Sequence, residues 1–253
     1  MSRRSCAIAV MAKASQPGRT KTRLVPPLTH EEAAAFNTAF LQDVAGNLIA
    51  ASVKADIAGY MAYGPPGSEP FFEAILPGEI GLIESWQPNF GDCLFRAAAV
   101  LLGSGYACAC VLNADSPTLP TSLLVETAER LAAPGDRIVL GPSNDGGYYL
   151  LGLKRSHRRL FDDIDWSTER VAGQTLERAA ELGLEVVMLP EWYDVDDAQA
   201  LRTLAGEVLA GRSYGGEALV PYPAPHTGER LRALLRQDGA AARLGLDALT
   251  GVS

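Results

Sequence analysis

Residues 106–120, YACACVLNADSPTLP, decide how the chain is read. From Tyr106 to Leu112 no charged residue interrupts a run of small and apolar side chains, the pattern of a strand covered on both faces. The run ends in Asn113 and Asp115, and Pro117 and Pro120 then introduce a helix predicted over 123–133. A carboxylate at the C-terminal end of a buried strand is well placed to hold Mg²⁺, which takes oxygen ligands and usually bridges to substrate phosphates. The plainer reading of Asp115 is a cap on the turn through Ser116 and Pro117.

Working outward, short apolar runs at 6–12, 57–62, 80–83, 137–140, 148–153 and 185–189 read as further strands. Between them lie helical patterns at 33–49, 71–76, 91–102 and 167–182. Thr29 caps the first of these, with Glu31 and Glu32 in its opening turn. Asp196 or Asp197 opens a later helix running to about 209. Such alternation predicts an α/β doubly wound sheet with helices on both faces. Ligands of these sheets bind outside the C-terminal strand ends, so the chemistry belongs just after the runs named above. The Gly- and Pro-rich segment 211–228 reads as a crossing segment, and 230–249 as one last helical stretch.

The chain has 253 residues, 47% hydrophobic and 21% charged, which is ample to bury a large core and excludes a disordered or disulfide-stapled chain. A net charge of −8 argues against a general nucleic-acid coat or an anionic-membrane binder. That average conceals an asymmetry. Arg3, Arg4, Lys13, Arg19, Lys21 and Arg23 precede the first carboxylate, Glu31. A cationic end on an acidic protein suits a compact anion, although a basic, frayed terminus would look the same. Cys6, Cys93, Cys108 and Cys110 follow no secreted framework, and Cys108 and Cys110 read as small core residues rather than a metal pair. Residues 1–14 mimic a signal peptide, but the apolar run is short and Lys13 breaks it. No apolar stretch approaches the roughly 18 residues of a bilayer span, so a cytoplasmic protein without membrane insertion is expected.

Three segments could carry chemistry. The loop KASQPGRTKTRL (13–24) follows the first strand directly; its backbone N–H groups, Lys21 and Arg23 suit phosphate, though a plain surface loop can share this composition. It lacks the Walker A spacing. Asp115 is the second. The third pairs Asn144-Asp145-Gly146-Gly147-Tyr148 with Tyr193-Asp194-Val195-Asp196-Asp197. Asp194 and Asp196 share a face if extended, and a divalent cation would relieve their repulsion; Asp196 or Asp197 could equally N-cap the next helix. No GxGxxG follows the first strand, which argues against a dinucleotide dehydrogenase. His30, His157 and His226 lie in polar surroundings and receive no catalytic role.

The ordered segments MAKASQPGRTKTRL, NADSPTLP, GPSNDGGYYLLGL, DWSTERVAGQTLERAAELGL and WYDVDDAQAL resemble a bacterial family of nucleotide-diphospho-sugar-transferase-like proteins. The family is also labelled radical-SAM- or selenodomain-associated and arsenosugar-biosynthesis glycosyltransferase. The chain is similar as well to 2-phospho-lactate guanylyltransferases and, more distantly, to molybdenum-cofactor guanylyltransferases. The resemblance spans about residues 6–204. It implies a GT-A fold with a mostly parallel mixed sheet, a transferase domain over 1–210 and a C-terminal extension over 211–253 packed on it. It implies a nucleotide or nucleotide-sugar and a small-molecule acceptor as partners, and Mg²⁺ (or Mn²⁺) as cofactor. The residues it marks for the nucleotide are Lys13, Gly18, Arg19, Lys21, Arg23 and Gly91. Asp115, Asp194 and Asp196 are its metal ligands; Asp145, Gly146, Gly147, Trp166, Ser167 and Thr168 form its acceptor side. Lys21, Asp115 and Asp145 are the expected catalytic residues. Family precedent allows a homodimer. Two departures stand out: Phe90-Gly91-Asp92-Cys93 lacks the arginine of the family's Leu-Gly-acid-Arg run, and Asn113 replaces a common glycine. The implied reaction is glycosyl transfer from a nucleotide-diphospho-sugar. Nucleotidylyl transfer from an NTP to a phosphorylated small molecule is the alternative, and a non-catalytic nucleotide- or sugar-binding module the third.

Overall fold

The apolar run at the centre of the sequence becomes strand β4 (Cys108–Leu112), all five residues of which are buried. A computed structural model of the chain describes residues 5–250; Arg3 and Arg4 of the basic N-terminal stretch lie outside the described residues. β4 runs parallel to β1 (Cys6–Lys13), beside which lie β2 (Ile57–Gly64) and then β3 (Gly81–Glu84). On the far side of β4 come β6 (Tyr148–Leu153), β5 (Arg137–Pro142) and β7 (Glu185–Met188), giving the order β3-β2-β1-β4-β6-β5-β7. Every neighbouring pair is parallel except those of β6, which runs antiparallel to both β4 and β5. That reversal puts the start of β6, Tyr148, at the same sheet edge as the ends of β1, β4 and β5.

Period-two alternation supplies both faces of the sheet. Cys6, Ile8 and Val10 face a layer made by α1 (His30–Lys54), α4 (Thr121–Ala132), α6 (Ala198–Ala210) and α7 (Pro225–Leu235). Ala7 and Ala9 face α3 (Phe90–Gly103) and α5 (Val171–Glu181). A short helix α2 (Glu69–Ile75) precedes β3. Phe36 and Phe40 of α1 are fully buried, each contributing about 1.5–3 kcal/mol of burial. The Thr29 cap forms as a capping box: its hydroxyl accepts from Glu32 N–H at 3.2 Å, while Glu32 Oε2 accepts from Thr29 N–H at 2.8 Å.

Two expected helices come out differently. The one read over 167–182 starts only at Val171, because Ser167 takes a left-handed φ of 66° and the chain through Arg170 is held as a loop. The stretch 230–249 is not one helix: α7, α8 (Ala240–Leu244) and α9 (Asp247–Thr250) are separated where Gly239 and Gly245 adopt φ of 72° and 68°. The sequence also showed no third thiol near Cys108 and Cys110, yet register sets Cys6 opposite Cys108 and within 3.9 Å of Cys110.

The C-terminal segment is anchored on α1. Buried Asp43 accepts from His226 N–H at 2.9 Å and Thr227 N–H at 2.8 Å, capping the start of α7. Arg243 grips Glu32 with two nitrogens at 2.7 Å. Asp43→Ala would strand two N–H donors in the interior, so unfolding in urea should show a loss of about 1–3 kcal/mol, with a melting temperature several degrees lower.

Candidate functional site

The cationic loop after β1 folds back across the sheet edge. Lys21 sits in left-handed backbone (φ 51°, ψ 37°), a conformation costly for a residue with a Cβ and kept only where surrounding contacts enforce it. Those contacts are visible. Its ammonium lies 2.7 Å from Asp115 Oδ1, 3.0 Å from Asp196 Oδ1 and 2.8 Å from the Val195 carbonyl, and 5.3 Å from the Phe40 ring centroid. Only 5% of the side chain is exposed. Burial by itself would lower the lysine pKa, but Asp115 and Asp196 outweigh it and raise it. The same pairing works on Asp196: burial pushes its carboxyl upward, and Lys21 and Arg23 overcome this and hold it below its ordinary value. Asp115 stays raised, since burial and the neighbouring Asp196 exceed the pull of Lys21.

Asp194 is held in another way. Asn113 Nδ2 (2.6 Å), Ser116 Oγ (2.9 Å) and Ser143 Oγ (2.8 Å) all donate to its Oδ1. Among the described residues none bonds Oδ2. Burial, followed by the charge of Asp115, pushes the Asp194 pKa up to about 6 despite these donors. The segment bearing Asp194 and Asp196 is positioned by backbone bonds from two strand ends: Val195 N–H to Asp115 O at 2.9 Å, and Asn144 N–H to Trp192 O at 3.1 Å. Asp197 N-caps α6, accepting from Ala200 N–H at 2.8 Å.

Two cavities adjoin here. One, of about 260 Å³, is lined by Lys13, Arg19, Lys21 and Arg23. The other, of about 480 Å³, is lined by Asp145, Gly147, Tyr148, Trp166 and Asp194 among others. Met11, Arg23, Ala114, Asp115 and Asp196 line both. The larger one has an aromatic wall: the Phe90 and Trp166 rings meet edge to face at 5.4 Å, and Tyr148 and Trp166 at 6.5 Å.

The structure brings most of the expected residues together, but not all in the expected manner. Ser167 and Thr168 line the larger cavity with Trp166. Gly146 lines neither; at φ 86° it passes so close to Glu169 that a Cβ would lie 2.2 Å from that residue's carbonyl oxygen. Gly146 thereby seats the loop that carries Trp166–Thr168, and its carbonyl accepts from Ala172 N–H at 3.0 Å. Gly18 lines neither cavity and supplies a turn at φ 74°. Gly91, read as a nucleotide contact, lines neither cavity and is closely packed: a Cβ would come within 2.8 Å of both Phe161 O and Trp166 Nε1. Asp196, read as a metal ligand, has its two oxygens on Lys21 and on Arg23 at 3.3 Å. Among the described residues, no group of three or more His, Cys, Asp or Glu side chains is disposed to hold a metal ion. Sequence reading gave no site role to Ser116, Ser143 or Phe90; the two serines stand at strand ends beside marked carboxylates, a position that could have flagged them.

The model of a family described as "Uncharacterized protein conserved in bacteria (DUF2064)" matches residues 48–168. No curated protein matches the chain. Among solved structures, it is similar to a protein of Desulfovibrio desulfuricans G20 described as a "putative nucleotide-diphospho-sugar transferase". Identity is 25% and the TM-score 0.78, over 96% of this chain and 98% of that one. A CMP:2-keto-3-deoxy-manno-octonic acid synthetase complexed with CTP shares the fold at 13% identity and a TM-score of 0.52, over 82% of this chain and 99% of that one. A cytidylyltransferase from Leptospira borgpetersenii serovar Hardjo-bovis does so at 10% and 0.51, over 93% and 96%. The chain is thus similar in fold to these proteins, and its own sheet is mixed and mostly parallel.

Lys21→Met would leave Asp115 and Asp196 facing each other without their shared cation. The expected loss of stability at pH 7 is about 1–3 kcal/mol, less than for a fully buried pair because both acids are about one-third exposed. Since the folded state depresses the Asp196 pKa, its stabilisation is complete above the ordinary carboxylate range and vanishes as pH falls through the folded value. Urea unfolding from pH 7 to pH 3 should therefore show the deficit shrinking toward acid.

Proposed function

We propose that the chain transfers a glycosyl group from a nucleotide-diphospho-sugar to a small acceptor. The observation that carries this reading is the seam between the two cavities. A cationic compartment suited to a diphosphate and an aromatic, acidic compartment suited to an acceptor share Arg23, Asp115 and Asp196. The likeness to the Desulfovibrio protein, nearly end to end, supports the same class of reaction.

In this reading Lys13, Arg19 and Arg23 meet the diphosphate, where preorganised charge stabilises the developing negative charge. Lys21 acts through its neighbours: locked between Asp115 and Asp196, it lets two carboxylates stand beside an anionic substrate. Asp145 serves as the base. Its Oδ1 is oriented by Gly147 N–H at 2.9 Å, and none of the described residues bonds Oδ2. The acceptor hydroxyl oxygen bonds to the anomeric carbon, and the bond from that carbon to the diphosphate oxygen breaks with its electron pair leaving on the diphosphate. The hydroxyl proton passes to Asp145.

The donor set suits a hard divalent cation, Mg²⁺ or Mn²⁺. Asp115 and Asp194 each keep an Oδ2 without a bond among the described residues, and two carboxylates plus substrate phosphates make a sufficient Mg²⁺ site. Such an ion, when bound, would neutralise charge on the departing diphosphate.

One observation favours a second reading, nucleotidylyl transfer. The smaller cavity carries four cationic side chains, enough for a triphosphate, and the cytidylyltransferases share the fold. There the acceptor phosphate oxygen would bond to the α-phosphorus of an NTP while pyrophosphate leaves.

A thermal-shift panel of NTPs and NDP-sugars, with and without Mg²⁺, tests these readings. A ligand at 100 times its Kd should add about 2.7 kcal/mol, or several degrees at about 2–4 °C per kcal/mol. Shifts with NDP-sugars that vanish in Arg19→Ala/Arg23→Ala are expected; pyrophosphate release from an NTP would move the assignment to the second reading. Asp145→Asn preserves the Oδ1 contact and should lower kcat by roughly 10²–10⁴-fold with little change in KM.

A further inference from the structure

Counting charge around the larger cavity separates its two ends. At the seam, Asp115 and Asp196 are matched by Lys21 and Arg23. Away from the seam, Asp145, Glu169 and Asp194 line the cavity, and none of the three forms an ion pair among the described residues. Asp194 is held by neutral donors, which orient its charge without cancelling it. Arg23 is the sole lysine or arginine of this lining and is already engaged by Asp196. Even a divalent ion on Asp115 and Asp194 would leave Asp145 and Glu169 uncompensated.

The same cavity carries the aromatic wall of Phe90, Trp166 and Tyr148, with Phe90 52% exposed. Aromatic faces take the C–H faces of a saturated ring, an aryl group or a cation.

We propose that the acceptor accepted by this cavity is a ring-bearing molecule that is neutral or cationic, and that phosphorylated and carboxylated acceptors are rejected by the unpaired acids Asp145 and Glu169. The inference rests on the reading of this cavity as the acceptor side. It runs against a phosphorylated acceptor, and so bears on the choice between glycosyl and nucleotidylyl transfer.

Calorimetric titration at low salt with three matched probes tests it: phenyl β-glucoside, its 6-phosphate, and the phenyl glycoside of glucosamine. The neutral and amino probes should bind, and the 6-phosphate should bind at least about 10-fold more weakly, because like charges at close range are strongly disfavoured. The change Glu169→Gln should recover part of that gap while altering the neutral probe by less than about 2-fold. Trp166→Ala should weaken the neutral and amino probes by about 2- to 10-fold, which locates binding at the aromatic wall. A 6-phosphate that binds as tightly as the neutral probe would overturn the proposal, as would no binding of any probe at millimolar concentration. Nucleotide thermal shifts on the same protein keep the two readings apart. Failure of every nucleotide with the probe order intact would sink the transferase reading alone; nucleotide binding with a tight 6-phosphate would sink charge selection alone.

Discussion

A single ammonium group holds this molecule's functional edge together. Lys21 joins the loop after β1 to the turn after β4 through Asp115, and to the segment before α6 through Asp196 and the Val195 carbonyl. These elements come from three distant parts of the chain. Without a cation among them, two carboxylates held this close, one of them raised by burial and by the other's charge, would repel. The left-handed backbone at Lys21 is the local cost of placing the charge there.

The sheet order makes that meeting possible. β1 sits between β2 and β4, so chain connections diverge to either side of the β1–β4 pair and leave a crevice above their C-terminal ends. The antiparallel β6 adds Tyr148 to the same edge, beside the Asn144–Gly147 turn. Gly146 and Gly91 then act as spacers. The first lets the 165–170 loop lie against the turn, and the second lets Trp166 settle over α3. The aromatic wall therefore depends on two positions with no side chain.

The carboxylates divide into two populations with different physics. Asp115 and Asp196 are paired with cations and form a rigid, nearly neutral seam. Asp194 is held by an amide and two hydroxyls, which fix its position while leaving its charge expressed, and its raised pKa records that cost. An edge with a neutral seam, a cationic side and an acidic side is polarised across a few residues. This polarity gives direction to any substrate bearing an anionic leaving group.

Much of this was legible in the amino-acid order. The central buried strand, the cap at Thr29, the alternation of strand and helix, and Asp115 at a strand end all follow from local rules, because burial periodicity and capping act over a few residues. The late start of α5 was not legible: Ser167 and Glu169 look like good N-terminal residues, and only contact with Gly146, some twenty residues earlier, holds that turn as a loop. Nor could spacing reveal that Lys21 lies between Asp115 and Asp196, or that Cys6 lies opposite Cys108. Sequence by itself determined which residues are buried in strands and which charges stand at strand ends. Tertiary structure alone decided which of those charges neutralise one another, since electrostatic pairing depends on distance in space between segments that the chain keeps far apart.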